Sequence, residues 1–195
     1  EYTALRGIVH GIGNPHSHFY SVETPEGRKQ LAFQMWQRSA SETAPVLICV
    51  HGLTRNRHDF DEIASALASH YRVVTVDMIG RGDSDWLSDP THYGYPLYIS
   101  LMQQLMTHLA DITGEDRFDW LGTSMGGLIG MMIAASPATQ IDRLVLNDIG
   151  PEIPVAGLKR LADYVGQAPA FSSLGEVEDY LRVIAAGFGQ LSDAQ

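Results

Sequence analysis

A serine set between glycines carries the strongest chemical signal in this chain. Gly122-Thr123-Ser124-Met125-Gly126-Gly127 lies between a short apolar strand and an apolar helix. Gly-x-Ser-x-Gly in that setting is a sharp strand-to-helix turn that holds one hydroxyl up for attack. The chemistry is covalent: a serine oxygen attacks an electrophilic carbon once a base has taken its proton. Five letters alone are weak evidence in a chain with 19 glycines, and a Gly/Ser-rich turn opening a core helix is the plain alternative. The requirement for a base is just as informative, because no histidine follows Ser124.

The flanks give the motif its weight. Arg117-Phe118-Asp119-Trp120-Leu121 reads as a strand, and Leu128 to Ala135 is apolar nearly all round, the pattern of a buried helix. Upstream, residues 19–24 and 30–37 alternate in polarity around Pro25-Glu26-Gly27, which predicts a hairpin. Val46 to Val50 is continuously apolar, as a strand covered on both faces should be. A helix is expected from about Asp59, with Phe60, Ile63, Ala64, Leu67 and Ala68 on one stripe. Arg72 to Asp77 is the next strand. A longer helix should begin near Pro96, with Ile99, Met102, Leu105, Met106 and Leu109 inward, and Arg143 to Asp148 is a sixth strand. The Met102/Met106 and Met131/Met132 pairs read as core packing.

Strands alternating with helices predict a mostly parallel sheet with right-handed crossovers, whose ligands bind beyond the carboxyl ends of the strands. His51-Gly52, Asp77, Ser124 and Asp148 each stand at such an end. Sequence-distant residues thus converge on one rim. From Pro151 the texture changes to helical pieces, 157–165 and 176–186, that read as a cover.

Composition narrows the field. The formal net charge of −10 argues against nucleic acid or an anionic membrane as partner, since no basic stripe meets phosphates. The single cysteine, Cys49, sits in the apolar run and is expected to be a buried core residue. No signal-peptide pattern and no membrane-length apolar run occur, so a cytoplasmic location is expected. No spacing suits a metal, and no Gly-rich loop ends in Lys-Ser/Thr, so no cofactor is expected.

With these motifs placed, the sequence resembles the α/β-hydrolase family over nearly its whole length. Val46 to Gly52 is similar to that family's third strand ending in His-Gly. Asp77-Met78-Ile79-Gly80-Arg81-Gly82-Asp83-Ser84 is similar to its Asp-x-x-Gly-x-Gly-x-Ser loop, and Asn147 to Pro151 to the segment where the cap begins. The resemblance implies an α/β core of mostly parallel, twisted sheet with helices on both faces over residues 1–150, and the start of a helical cap over 151–195. It implies Ser124 as nucleophile and the backbone N–H groups of Leu53 and Met125 as an oxyanion hole. His51 and Gly52 would shape the turn, Asp77 would order its loop, and Asp148 stands where some members place the triad acid. In the family the order is Ser, then acid, then His. The chain is therefore expected to be a C-terminally truncated piece, stopping at Gln195 before the last strands and the catalytic histidine, and inactive by itself.

The expected function is a serine hydrolase cleaving a small carboxylic ester or lactone through an acyl-enzyme on Ser124. Carbon–carbon bond hydrolysis by the same serine is a second reading. A catalytically inactive binding or scaffold protein is the alternative from another class. Haloalkane and epoxide hydrolysis fit less well, because those relatives carry aspartate at the position of Ser124. Arg55 and Arg57 read as a solvated loop or as contacts for an anionic substrate, and His58 and His92 as solvated residues. The unfinished sheet edge is expected to favour association with a second copy.

Overall fold

A computed structural model describes residues 16–37, 43–162, 165–166, 169–186 and 189. Two compact units divide the chain, Glu1–Ile153 and Pro154–Gln195.

Among the described residues the first unit has six strands: β1 (His16–Thr24), β2 (Gly27–Trp36), β3 (Val46–Val50), β4 (Arg72–Val76), β5 (Phe118–Thr123) and β6 (Ile141–Asn147). Their order across the sheet is β1-β2-β4-β3-β5-β6. β1 and β2 form an antiparallel hairpin, closed at Gly27, whose φ of 87° is one that glycine adopts without cost. β2 meets β4 antiparallel, and β4, β3, β5 and β6 run parallel. β3 and β4 are buried at every position, which is why Val-Leu-Ile-Cys-Val and Val-Val-Thr-Val carry no alternation.

Chain order explains where the helices sit. From β3 the chain moves one way to β4, then crosses back over β3 to reach β5. Right-handed crossovers travelling in opposite directions must cover opposite faces. α1 (Asp61–Leu67) accordingly packs Phe60, Ala64 and Ala68 with Trp36, Leu47, Cys49 and Val73 on one face. α2 (Tyr95–Thr113) and α3 (Met125–Ala134) cover the other, where Leu101, Met102, Leu105, Met106, Ile129 and Ile133 meet Ile48, Val74, Phe118 and Trp120. Pro96 sits in the first turn of α2, and Gly114 ends it in the left-handed region at φ 75°.

Two readings of the helices need correction. Ile63 is 42% exposed, because the buried stripe is the narrow one of Phe60, Ala64 and Ala68, four residues apart, and Ile63 lies off it. α3 is not buried all round: Met132 is 42% exposed, so of the two methionine pairs only Met102 and Met106 lie fully in the core. α3 also begins directly at Met125, one turn before the apolar run that announced it. Cys49 is fully buried, and the apolar surroundings push its thiol up to about 12, so it stays protonated and inert.

The outer edge of β6 pairs with no strand among the described residues, and its Val145 is 54% exposed. In the second unit, α4 (Val155–Ala162) and α5 (Leu174–Ala185) are both helical. Ser173 caps α5 by accepting from the Glu176 N–H while the Glu176 carboxylate accepts from the Ser172 N–H. No helix among the described residues is long and apolar enough to cross a membrane.

Candidate active site

The parallel strands end on one rim. β3 stops at Val50, β4 at Val76, β5 at Thr123 and β6 at Asn147, so His51, Asp77, Ser124 and Asp148 are each the next residue. The strand order reverses between β3 and β5, and crevices open where neighbouring connections leave on opposite faces. Gly52 and Ser124 meet at that point. A side chain built on Gly52 would stand 3.7 Å from Ser124 Cβ and 3.7 Å from Arg55 Cγ.

Ser124 has φ 49° and ψ −110°, backbone that an L-residue adopts only when its surroundings force it. The forcing groups are visible. A Cβ at Gly122 would collide with the Gly126-Gly127 backbone, and one at Gly126 would strike the Val50 carbonyl. Trp120 Nε1 donates to the Gly126 carbonyl at 3.0 Å, and the Ser124 N–H donates to the Asn147 carbonyl at 3.0 Å. The hydroxyl is partly exposed and makes no hydrogen bond among the described residues.

Two backbone N–H groups belong to the residues that adjoin this point, Met125 after Ser124 and Leu53 after Gly52. Met125 opens α3, where the helix leaves N–H groups without intrahelical partners and concentrates positive potential. The Leu53 N–H shares a planar trans peptide with the Gly52 carbonyl and so points opposite to it. That carbonyl is held by His51 Nδ1 at 2.6 Å and the Arg55 N–H at 3.2 Å. Neither the Leu53 nor the Met125 N–H donates to another group among the described residues.

His51 is completely buried. Its Nε2 accepts from the Met78 N–H at 3.1 Å, so Nδ1 carries the proton and both ring nitrogens are occupied. Burial pushes its pKa below the ordinary 6.5, with the Arg81 charge acting in the same direction and the Gly52 carbonyl and Asp77 opposing. A neutral ring with no free lone pair orders the turn and is not a proton acceptor for Ser124. Because the folded value is depressed, the stability that neutral His51 contributes is complete above about pH 6.5 and is lost as pH falls through the folded value. His51→Gln is expected to flatten the fall in urea midpoint from about pH 7.5 to 5; an unchanged slope would contradict this assignment.

Asp77 holds its loop together. Its carboxylate accepts from the Arg57 N–H at 2.8 Å, from the Asp83 N–H at 2.9 Å and from the Arg57 guanidinium. The same guanidinium reaches Asp83. Ser84 Oγ donates to the Asp77 carbonyl at 2.6 Å and accepts from the Ala32 N–H at 2.8 Å, tying the loop to β2. Arg57 is only 3% exposed, so it is neither a solvated loop residue nor a contact for an anionic substrate. The sequence hid this because the partner, Asp77, is 20 residues away. Arg55 remains at the surface, bound to Asp59 at 2.6–3.0 Å.

Asp148 follows Asn147 in left-handed backbone, φ 55°, is exposed, and makes no hydrogen bond among the described residues. His58 pairs with Asp61, His92 with Glu26, and His108 stacks on Tyr20, so these rings are engaged elsewhere. Among the described residues no group of histidine, cysteine and carboxylate side chains is arranged to hold a metal ion.

The sequence profile of the alpha/beta hydrolase fold matches residues 45–185. The chain belongs to the alpha/beta hydrolase fold family. The matched span of this alpha/beta hydrolase contains the Gly52 turn, the Asp77 loop and the Ser124 elbow. It is 40% identical over 182 residues to the 3-hydroxybutyrate-oligomer hydrolase of Cupriavidus necator, a match covering 93% of this chain and 60% of that protein. A fluoroacetate dehalogenase of Burkholderia sp is 30% identical over 112 residues, 56% of this chain and 36% of that protein. The crystal structure of an alpha/beta hydrolase from Novosphingobium aromaticivorans superposes with a TM-score of 0.80 at 33% identity, covering 93% of this chain and 61% of that one.

Proposed function

We propose that the protein is a serine hydrolase of carboxylic esters, acting through an acyl-enzyme on Ser124. One observation carries the reading: a partly exposed serine in strained backbone, next to Gly52, is accompanied by two unspent N–H groups on the adjoining residues Leu53 and Met125. Attack on an ester carbonyl places negative charge on its oxygen, and fixed backbone donors stabilise that charge without reorganising. Collapse expels the alcohol, and water then attacks the acyl-enzyme to release the acid. The Cupriavidus necator relative supports an ester made from a hydroxy acid, since oligomers of 3-hydroxybutyrate are joined by ester bonds. The same attack would serve a lactone. The base that takes the serine proton is not supplied by His51, whose lone pair is occupied.

The test is an assay of the whole natural protein on p-nitrophenyl butyrate and on a 3-hydroxybutyrate dimer, with and without a fluorophosphonate. Turnover of either that the probe abolishes supports the reading. Turnover indifferent to the probe would overturn the serine mechanism, and no turnover of either ester would favour a binding protein that has kept the fold.

The open edge of β6 carries a second expectation. Val145 and the unpaired backbone beside it should draw two copies of the 195-residue chain together. Light scattering is expected to show dimers or larger species that shrink when Val145 is replaced by lysine; a monodisperse monomer at high concentration contradicts it.

A further inference from the structure

Arg81 lies in the loop after β4, and its side chain ends on the loop after β3 that carries the Leu53 N–H. Its Nε donates to the Leu53 carbonyl at 3.1 Å, and its Nη1 donates to the Ile79 carbonyl at 2.9 Å and to the Tyr98 hydroxyl at 2.8 Å. The guanidinium lies over two rings, 5.9 Å from the centre of Tyr93 and 5.3 Å from that of Tyr98. Those rings are fixed in turn. Tyr98 is buried on α2, the Tyr93 hydroxyl accepts from the Leu87 N–H at 2.7 Å, and Gly80 lies flat against the Tyr93 ring, leaving no room for a Cβ.

Of the contacts between the segments that follow β3 and β4, two bear on the peptide planes of Leu53. In one, the Met78 N–H donates to His51 Nε2; in the other, Arg81 reaches the Leu53 carbonyl. The Arg81 N–H closes the turn between them by donating to the Met78 carbonyl at 3.0 Å. Each of the two contacts pins a different peptide plane. His51 holds the Gly52 carbonyl, and with it the direction of the Leu53 N–H. Arg81 holds the Leu53 carbonyl and so fixes the following plane. With both planes fixed, the Leu53 N–H is held in one direction.

We infer that Arg81 is a positioning residue for the reaction, the brace that keeps the Leu53 N–H aimed at the developing oxyanion. The inference rests on the reading of Leu53 as an oxyanion donor. A donor that wanders between turnovers forfeits part of the factor of about 10²–10³ that one such group supplies.

The experiment uses the whole natural protein and four variants: Arg81→Met, Arg81→Lys, Tyr98→Phe and Ser124→Ala. For Arg81→Met, kcat on p-nitrophenyl butyrate should fall by about 10-fold with KM within about 2-fold of the parent. The inhibition constant of phenylboronic acid, which forms a tetrahedral adduct on serine, should rise by the same factor as kcat falls. A residue that only stabilised the fold would move the melting temperature and leave that boronate ratio alone. Arg81→Lys keeps the charge without the planar fork and should lose nearly as much, which preserves the test if the methionine variant does not fold. Tyr98→Phe removes one support and should cost about 2–3-fold. Parental kcat and boronate affinity in Arg81→Lys, with Ser124→Ala inactive, overturn the inference alone. Turnover surviving in Ser124→Ala overturns the hydrolase reading and this inference with it.

Discussion

Replacing Ser124 with alanine in the whole natural protein is expected to lower ester hydrolysis by about 10⁴-fold or more, because the nucleophile and its partners act as a unit. The fold should not suffer. The residue is held at φ 49°, where an L side chain is strained, and its hydroxyl makes no hydrogen bond among the described residues. Glycine sharpens the prediction, since it adopts that backbone freely. Ser124→Gly should be equally inactive and yet more stable than the parent by about 1 kcal/mol in urea unfolding. Activity and stability moving in opposite directions at one residue would mark strain kept for function. A glycine variant less stable than the parent would mean that the elbow is relaxed and that its geometry is not maintained for chemistry.

The second large effect lies below the rim. Asp77→Ala should destabilise the protein by about 3–5 kcal/mol, the usual result of stripping one partner from a buried ion pair. Arg57, 3% exposed, would keep its charge with only the largely exposed Asp83 carboxylate left to it, and the Arg57 and Asp83 N–H groups would lose their acceptor. The double variant Asp77→Leu/Arg57→Met should recover much of that loss, because no unpaired charge then remains inside. Equilibrium urea unfolding of the three proteins distinguishes the cases. If Asp77→Ala alone costs under about 1 kcal/mol, the pair is a surface decoration and the loop is held by something else.

These effects show what the sequence could and could not disclose. The strands were legible because β3 and β4 are buried on both faces and are spelled in unbroken apolar runs. The elbow was legible because a strained turn admits few residue types: Gly122 and Gly126 each face backbone at contact distance. Rim convergence followed from the alternation of strands and helices, which makes the strands parallel. Contacts between loops were not legible, since hydrogen bonds such as Arg57 to Asp77 and Arg81 to Leu53 leave no periodic trace. Arg57 read as a solvated residue for that reason, whereas the structure buries it. Helix faces failed locally too: Ile63 had the right spacing, but the buried stripe of Phe60, Ala64 and Ala68 is too narrow to take it in. Asp148 is placed by the structure at the end of β6 and nowhere engaged among the described residues, so sequence position alone nominated it as an acid.

The central claim is a covalent bond between Ser124 and the acyl group of an ester, and it can be read directly. The whole natural protein is mixed with excess p-nitrophenyl butyrate, quenched in acid within the first turnover, digested and analysed by mass spectrometry. The account predicts a butyryl group on the peptide that carries Gly122-Thr123-Ser124-Met125-Gly126, localised to Ser124 and absent from Ser124→Ala. Steady turnover with that peptide unmodified at every quench time, or a butyryl group on another residue, would contradict it.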